Sequence, residues 1–274
     1  MEIMAREPLV AGQFYPDDAE ELKKQVISFL EKQNKVVAAP VNALIAPHAG
    51  YIYSGRCAAS AYRQLSENAI FLILGVNHSG IGKTSLSSRD FKTPLGIAKN
   101  EIILTRRLKE LGIDANEEAH SAEHSIEVQL PFLQVLFDKI EFVPLIVGDD
   151  YKKYISGIAR VLQGYSKKVC IIASSDMTHY GLNYYYVPFT ENVKENLYKL
   201  DKKALEFIEK IDADGFNSYI EKTGATVCGR YTISLLLELM ELHKAKAKLI
   251  NYYTSGDIVK NYSTAVGYAS VVFY

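Results

Sequence analysis

Apolar, β-branched runs alternate with amphipathic stretches along most of this chain, and that order predicts the fold. Asp17 and Asp18 follow Pro16 and open a helix from Ala19 to Lys32, with Leu22, Val26, Ile27 and Leu30 on one face. A strand at 41–46, a helix at 57–65 and a strand at 69–75 come next, then a polar, glycine-containing segment from Ser79 to Gly96. Helices at 100–111 and about 125–137 lead to a strand at 140–147, and a helix near 151–163 leads to a strand at 168–173. Beyond a loop around Asp176 the pattern predicts helices at roughly 190–210, 213–221 and 229–243. The chain ends in two β-rich runs, Lys248–Tyr253 and Thr264–Phe273. Strands alternating with helices mean an α/β fold: a mixed, mostly parallel sheet with helices on both faces. The two last runs have no helix between them and are expected to pair antiparallel. No repeat, low-complexity tract or linker interrupts the chain, so residues 1–274 are expected to form a single domain.

Composition narrows the partners. A hydrophobic fraction of 48% is ample for a packed core and argues against disorder. The 31 basic and 32 acidic residues are interleaved and leave a net charge of −1. That is no electrostatic footprint for nucleic acid or an anionic membrane, so a small-molecule substrate or a peptide is expected instead. Cys57, Cys170 and Cys228 are odd in number and far apart, which is no disulfide framework. The opening MEIMAREPLV has no apolar h-region and no run is long enough to span a bilayer, so a cytoplasmic protein is expected. The Tyr184-Tyr185-Tyr186 run cannot all be core, and surface packing or ligand stacking are both open to it.

Three of the apolar runs break off at turns that carry histidine. Val41–Ala46 runs into Pro47-His48-Ala49-Gly50, Ile70–Gly75 into Val76-Asn77-His78-Ser79, and Val169–Ala173 into Ser174-Ser175-Asp176-Met177-Thr178-His179. In open α/β sheets, ligands bind outside the carboxyl ends of the strands. Three of only six histidines therefore sit where such a fold places its chemistry, which points to a metal or acid–base site. Asp176, three residues before His179, could orient its ring, or could instead close an Asx-turn on its own backbone. His124, in Glu123-His124-Ser125-Ile126-Glu127, is a further catalytic candidate, whereas the glutamates there suit a first helical turn. Cys228 precedes a helix, a position that favours thiolate, although a packed capping residue would look the same. Gly80-Ile81-Gly82-Lys83-Thr84 looks like a phosphate-binding loop. It lacks the first glycine, position 77 being Asn, and no helix follows it, so no nucleotide site is expected.

Taken together, Ala46-Pro47-His48-Ala49-Gly50-Tyr51, Glu123-His124-Ser125-Ile126-Glu127, Ser174-Ser175-Asp176 with His179, and Cys228-Gly229-Arg230 make the chain resemble the Memo family. The similarity runs from Val10-Ala11-Gly12-Gln13-Phe14-Tyr15 to the C-terminal strand. The resemblance implies a fold like that of the class III extradiol dioxygenases, which carry non-haem iron. It implies a metal site of two histidines and a cysteine, matching His48, His78 and Cys228. His179, oriented by Asp176, would then act as acid/base with His124 in support, and Phe14, Tyr51 and Tyr53 would line the substrate pocket. Animal relatives, implicated in phosphotyrosine-peptide binding, carry Trp at the position of Phe14 and a second histidine at that of Ser79. Those departures detach the phosphopeptide activity from this chain. A cysteine where the dioxygenases use a carboxylate softens the site, so one transition metal ion is expected, copper or iron first and zinc next. The function implied is a metal-binding oxidoreductase using O₂ or a peroxide. The rival is a non-catalytic module that binds a peptide or modified residue in the same pocket. A radical-SAM protein is a further partner suggested by the microbial relatives.

Overall fold

The computed structural model describes residues 4–67 and 69–274; residues 1–3, part of the stretch read above for a leader, lie outside them. In chain order the elements are α1 (Ala19–Glu31), β1 (Ala43–Ala46), α2 (Tyr51–Tyr62), β2 (Ile70–Gly75), β3 (Ser85–Leu86), β4 (Phe91–Thr93) and β5 (Gly96–Asn100). Then come α3 (Ile102–Lys109), α4 (Glu117–Ser121), α5 (Leu130–Leu136), β6 (Glu141–Ile146), α6 (Ile155–Gln163), β7 (Val169–Ser174) and β8 (His179–Gly181). The last third holds α7 (Val193–Glu209), α8 (Ala213–Thr223), α9 (Arg230–Leu242), β9 (Ala247–Thr254), α10 (Ser255–Val259) and β10 (Thr264–Phe273).

Among the described residues ten strands join one sheet, ordered β4-β5-β6-β2-β7-β1-β10-β8, with β3 added on β6 and β9 on β10. The five strands from β5 to β1 run parallel, and the pairings at both margins are antiparallel. Side chains alternate across a strand, so the buried strands feed two cores. Ile45, Leu72, Leu74, Val143, Leu145 and Ile171 face one core with α6, α8 and α9, while Leu44, Phe71, Ile73, Phe142 and Ile172 face the other with α1, α2 and α5. On α1, Leu22, Val26 and Leu30 of the expected face are buried, each contributing about 1.5–3 kcal/mol, while Ile27 is half-buried. Asp18 caps that helix by accepting from the Glu21 N–H.

The predicted α/β architecture is the observed one, and β9 and β10 do pair antiparallel, although the short α10 lies between them. Three boundaries differ from expectation. Helix α2 starts at Tyr51 rather than 57, with Gly50 as its cap and Ser54 Oγ bonding back to Ala49 O. Its Gly55 is needed because a Cβ there would come within 2.5 Å of the Phe29 ring. The expected helix at 125–137 reaches α form only at Leu130, because Pro131 is tolerated in a first turn but not in a helix interior. The polar segment 79–96 contains β3, β4 and the start of β5. Its Thr84, Ser85, Ser87 and Thr93 are buried, and hydroxyls bonded to Asp150, Glu117 and Gln134 satisfy three of them. Among the described residues no helix is long and apolar enough to cross a membrane.

Candidate metal centre

The strand order places β2, β7 and β1 side by side, so the loops leaving their carboxyl ends are neighbours. His48 lies just past β1, His78 just past β2 and Asp176 just past β7, while His179 opens β8. Cys228 comes in on the turn before α9.

The hydrogen bonds behind each ring fix its tautomer. His48 Nδ1 lies 2.9 Å from Ser174 Oγ. That hydroxyl donates its single proton to Ser125 O at 2.8 Å and accepts from Gln129 Nε2 at 2.7 Å. It therefore meets His48 as an acceptor, and Nδ1 carries the ring proton. The lone pair is left on Nε2, 3.3 Å from Cys228 Sγ. Burial lowers the His48 pKa well below its usual value, and the charges of His78 and His124 add to that, so the ring is the neutral, metal-binding form.

His78, exposed over a third of its side chain, sets Nδ1 3.0 Å from Glu123 Oε1, and its backbone N–H donates to Oε2. Burial pushes the Glu123 carboxyl up, but the His78 ring and the N–H groups of Ser125 and His78 outweigh it and hold it at about 2. Glu123 is thus a carboxylate, Nδ1 of His78 donates to it, and Nε2 is the nitrogen left for another partner. His179 Nδ1 faces Met177 O at 3.1 Å and Thr226 O at 3.0 Å. Carbonyls only accept, so this ring too is protonated at Nδ1 and presents Nε2. Three imidazoles from three loops thus show the same nitrogen, each held by an outer partner of the kind that orients metal-binding histidines.

Two triads result. Donor atoms of His48, His78 and Cys228 lie within 4.8 Å of one another, and so do those of Asp176, His179 and Cys228. A third group, His78, Glu123 and His124, meets the same limit. His124 stacks on His78 with ring centres 4.8 Å apart and meets Phe14 edge-on at 4.9 Å. Burial lowers its pKa, which the nearby Glu123 carboxylate opposes.

The setting of Cys228 differs from the expected helix-start thiolate. Burial pushes its thiol up and the Asp176 charge adds to that, against the Asp176 N–H that Sγ accepts at 3.3 Å. In such surroundings a thiolate needs an adjacent cation, and two imidazole nitrogens close to that sulfur fit a metal. Asp176 is also placed otherwise than expected. It is 4% exposed, and its Oδ1 accepts from the His48 N–H at 2.9 Å. The His179 ring is held by backbone carbonyls rather than by Asp176.

Beside the histidines and Asp176 opens a cavity of about 450 Å³. Phe14, Tyr53, Tyr184 and Tyr268 supply its aromatic walls, with His48, His78, His124, Asp176 and His179 on its floor. Tyr51 is the exception among the expected wall residues. It is 1% exposed and buried beside Phe132 and Tyr15, with its hydroxyl donating to Val128 O. Of the tyrosine run, Tyr184 meets His179 edge-on at 5.0 Å, whereas Tyr185 is 98% exposed. Glu123, Ser174 and Tyr268 were not singled out by the sequence. Glu123 carried a signal, adjacency to His124, but its charge suited a helix start equally well.

The family profile for Memo-like proteins matches residues 6–272. MEMO1 family proteins of Thermoplasma volcanium and Sulfurisphaera tokodaii are each 38% identical to the chain, and one of Pyrococcus furiosus is 37% identical. Each alignment covers 98% of this chain and 98–99% of the relative. The chain belongs to the Memo family.

Proposed function

We propose that the protein is a metal-dependent oxidoreductase whose metal is held by His48 Nε2, His78 Nε2 and Cys228 Sγ. The observation that carries this reading is the convergence of those three donors, His48 and His78 just past strand ends and Cys228 on the turn before α9, with Nδ1 of each ring already taken by an outer partner. Two imidazoles and one thiolate suit copper, zinc or thiolate-bound iron, and a copper or iron ion there would supply one-electron chemistry with O₂ or a peroxide. The chain's own residues supply the rest. His179 Nε2 faces the cavity and takes or returns a substrate proton, and its Nδ1–H stays on the backbone carbonyls throughout. His124, neutral and backed by Phe14, is the second group able to accept a proton there. Phe14, Tyr53, Tyr184 and Tyr268 hold an apolar face of the substrate and exclude water from the floor of the cavity.

The test is metal analysis of protein purified without an affinity tag, followed by a screen for oxygen or peroxide consumption. Turnover that disappears with the metal and in His48→Ala is the expected result. A tightly bound metal that survives in the His48→Ala/His78→Ala double variant would refute the ligand assignment.

A further inference from the structure

Among the described residues no lysine or arginine lines the cavity, and Asp176 is its one carboxyl group. Burial keeps His48 and His124 neutral, so neither ring adds positive charge. The backbone offers an anion little more. N–H groups on the rim are already engaged: those of His48 and Ala49 by the Asp176 carboxylate, His78 by Glu123, His179 by Thr226 Oγ1 and Val266 by Ser255 Oγ. At the start of α2, where a helix dipole favours a negative ligand, the Tyr51 N–H donates to Phe14 O.

A metal ion does not reverse this balance. The thiolate cancels one charge of an ion on His48, His78 and Cys228, and the Asp176 carboxylate cancels a second. The pocket is then neutral around a divalent ion and negative around Cu⁺. In neither case does it attract an anion, and in the second it attracts a cation.

The walls supply what a cation with an apolar body needs. Phe14, Tyr53, Tyr184 and Tyr268 line the cavity, and aromatic faces attract an ammonium group placed within about 6 Å of the ring centre. Two of these rings are in electrostatic reach of the carboxylate. Burial raises the hydroxyl pKa of Tyr184 and Tyr268, and the Asp176 charge adds to the rise in both. Asp176 is itself buried with no described lysine or arginine beside it in the cavity, a costly state that a ligand carrying positive charge offsets.

We propose that the pocket takes small organic ammonium ions as its substrate class: a protonated or quaternary amine on an apolar body, with the charged head between Asp176 and the aromatic walls. As the substrate class of an oxidoreductase this rests on the reading above. A protonated amine also brings the proton that His179 takes there.

The experiment is isothermal titration of the full chain, metal-free and loaded with Cu⁺, with benzyltrimethylammonium, benzyl alcohol and phenyl phosphate. Metal content is measured on the same samples. The ammonium is expected to bind roughly tenfold or more tighter than the neutral alcohol, and phenyl phosphate is expected not to bind. Tyr53→Leu should weaken the ammonium roughly 3–30-fold, as loss of one ring face does, whereas Tyr53→Phe should keep it. Tyr184→Leu takes its place if Tyr53→Leu lacks a cooperative thermal transition. Asp176→Asn retains an acceptor for the His48 N–H, and should weaken the ammonium roughly tenfold while leaving benzyl alcohol unchanged. Phenyl phosphate binding as tightly as the ammonium, or all three probes binding alike, overturns the proposal. So does an ammonium affinity that is the same in wild type, Tyr53→Leu, Tyr184→Leu and Asp176→Asn. Either result in protein that carries metal on His48, His78 and Cys228 leaves the metal reading standing. The expected binding pattern in protein that takes up no metal there supports the ammonium site and refutes the metal reading alone.

Discussion

Nε2 of His48 lies 3.3 Å from Sγ of Cys228, across 180 residues of chain. The contact joins the end of a β-strand to the start of a helix and closes the donor set from opposite ends of the sequence. Both partners are arranged for it: a hydroxyl fixes the proton of the ring on its far side, and the Asp176 N–H points at the sulfur. Cys228→Ser should therefore fold normally and lose metal affinity by well over tenfold, with loss of the thiolate charge-transfer band. Direct titration with Cu⁺ or Co²⁺ checks it. Equal affinities, with no such band in wild type, would return Cys228 to the role of a packed capping residue.

The tautomer argument has its own test. Ser174→Ala removes the acceptor for His48 Nδ1–H, and leaves Gln129 Nε2 with Pro47 O as its remaining partner. Outer partners of metal-binding histidines are worth roughly 10–100-fold in affinity. A loss of that order with the fold intact is expected in Ser174→Ala, and also in Glu123→Gln through His78. Thermal melts run beside the metal titrations separate a positioning effect from unfolding.

How much of this could be read from the sequence depended on what each residue does. The order of strands and helices was legible because it rests on periodic burial, and the strand-end histidines were legible because position and chemistry coincide. Glu123 was missed because a buried carboxylate that orients a ring has the same local signature as an acidic first turn. Tyr51 was expected on the cavity wall together with Tyr53, but residues two apart on a helix point in different directions, and of the two Tyr53 faces the cavity. The strands inside 79–96 were hidden because hydroxyl groups made a buried segment look solvated. For Cys228 a general rule about helix starts lost to burial, the larger effect at that site.

Asp201 on α7 gives a pH signature. It is fully buried, accepts from Thr178 N at 3.2 Å and from the Tyr252 hydroxyl at 2.7 Å, and burial pushes its carboxyl up to about 6. In the unfolded chain an aspartate titrates near 3.9, so between those values the folded state binds more protons. The stability this group contributes is complete below about 3.9 and is lost as pH rises through about 6. The size is on the order of 3 kcal/mol. Melting temperatures from pH 3.5 to 7.5 should show Asp201→Asn losing less stability than wild type as pH rises. Parallel curves would mean that Asp201 does not titrate in that window.

Gly55 tests the packing of α1 on α2. A methyl group there would sit within 2.5 Å of the Phe29 ring, so Phe29 must shift or the helices part. Overpacking of this kind typically costs about 1–3 kcal/mol. Gly55→Ala should lower the denaturant midpoint accordingly, and Gly55→Ala/Phe29→Leu should recover part of the loss. No recovery in the double variant would place the cost elsewhere than in that contact.

Glu127 separates what holds the cavity wall from what holds the candidate metal donors. Its carboxylate is fully buried and accepts from Arg6 Nη1 at 2.7 Å, from the backbone N–H groups of Leu9 and Val10, and from the Tyr15 hydroxyl. Arg6 is itself 4% exposed and donates to His120 O and Glu123 O, so the pair ties residues 6–15 to the segment that carries His124. Phe14 reaches the His124 ring through that strap. Removing one partner of a buried ion pair leaves the other charge uncompensated, which typically costs about 3–5 kcal/mol. Glu127→Gln should therefore lower the melting temperature sharply and open the N-terminal strap to proteolysis. Arg6→Met/Glu127→Gln, with no stranded charge, should recover much of that stability. Neither variant removes a metal donor, so both should bind metal with little change while Phe14 no longer closes the cavity. Proteolysis, calorimetry and metal titration on the same three proteins decide the point. Metal lost in step with the strap would mean that the N-terminal segment holds the centre itself and not only its wall.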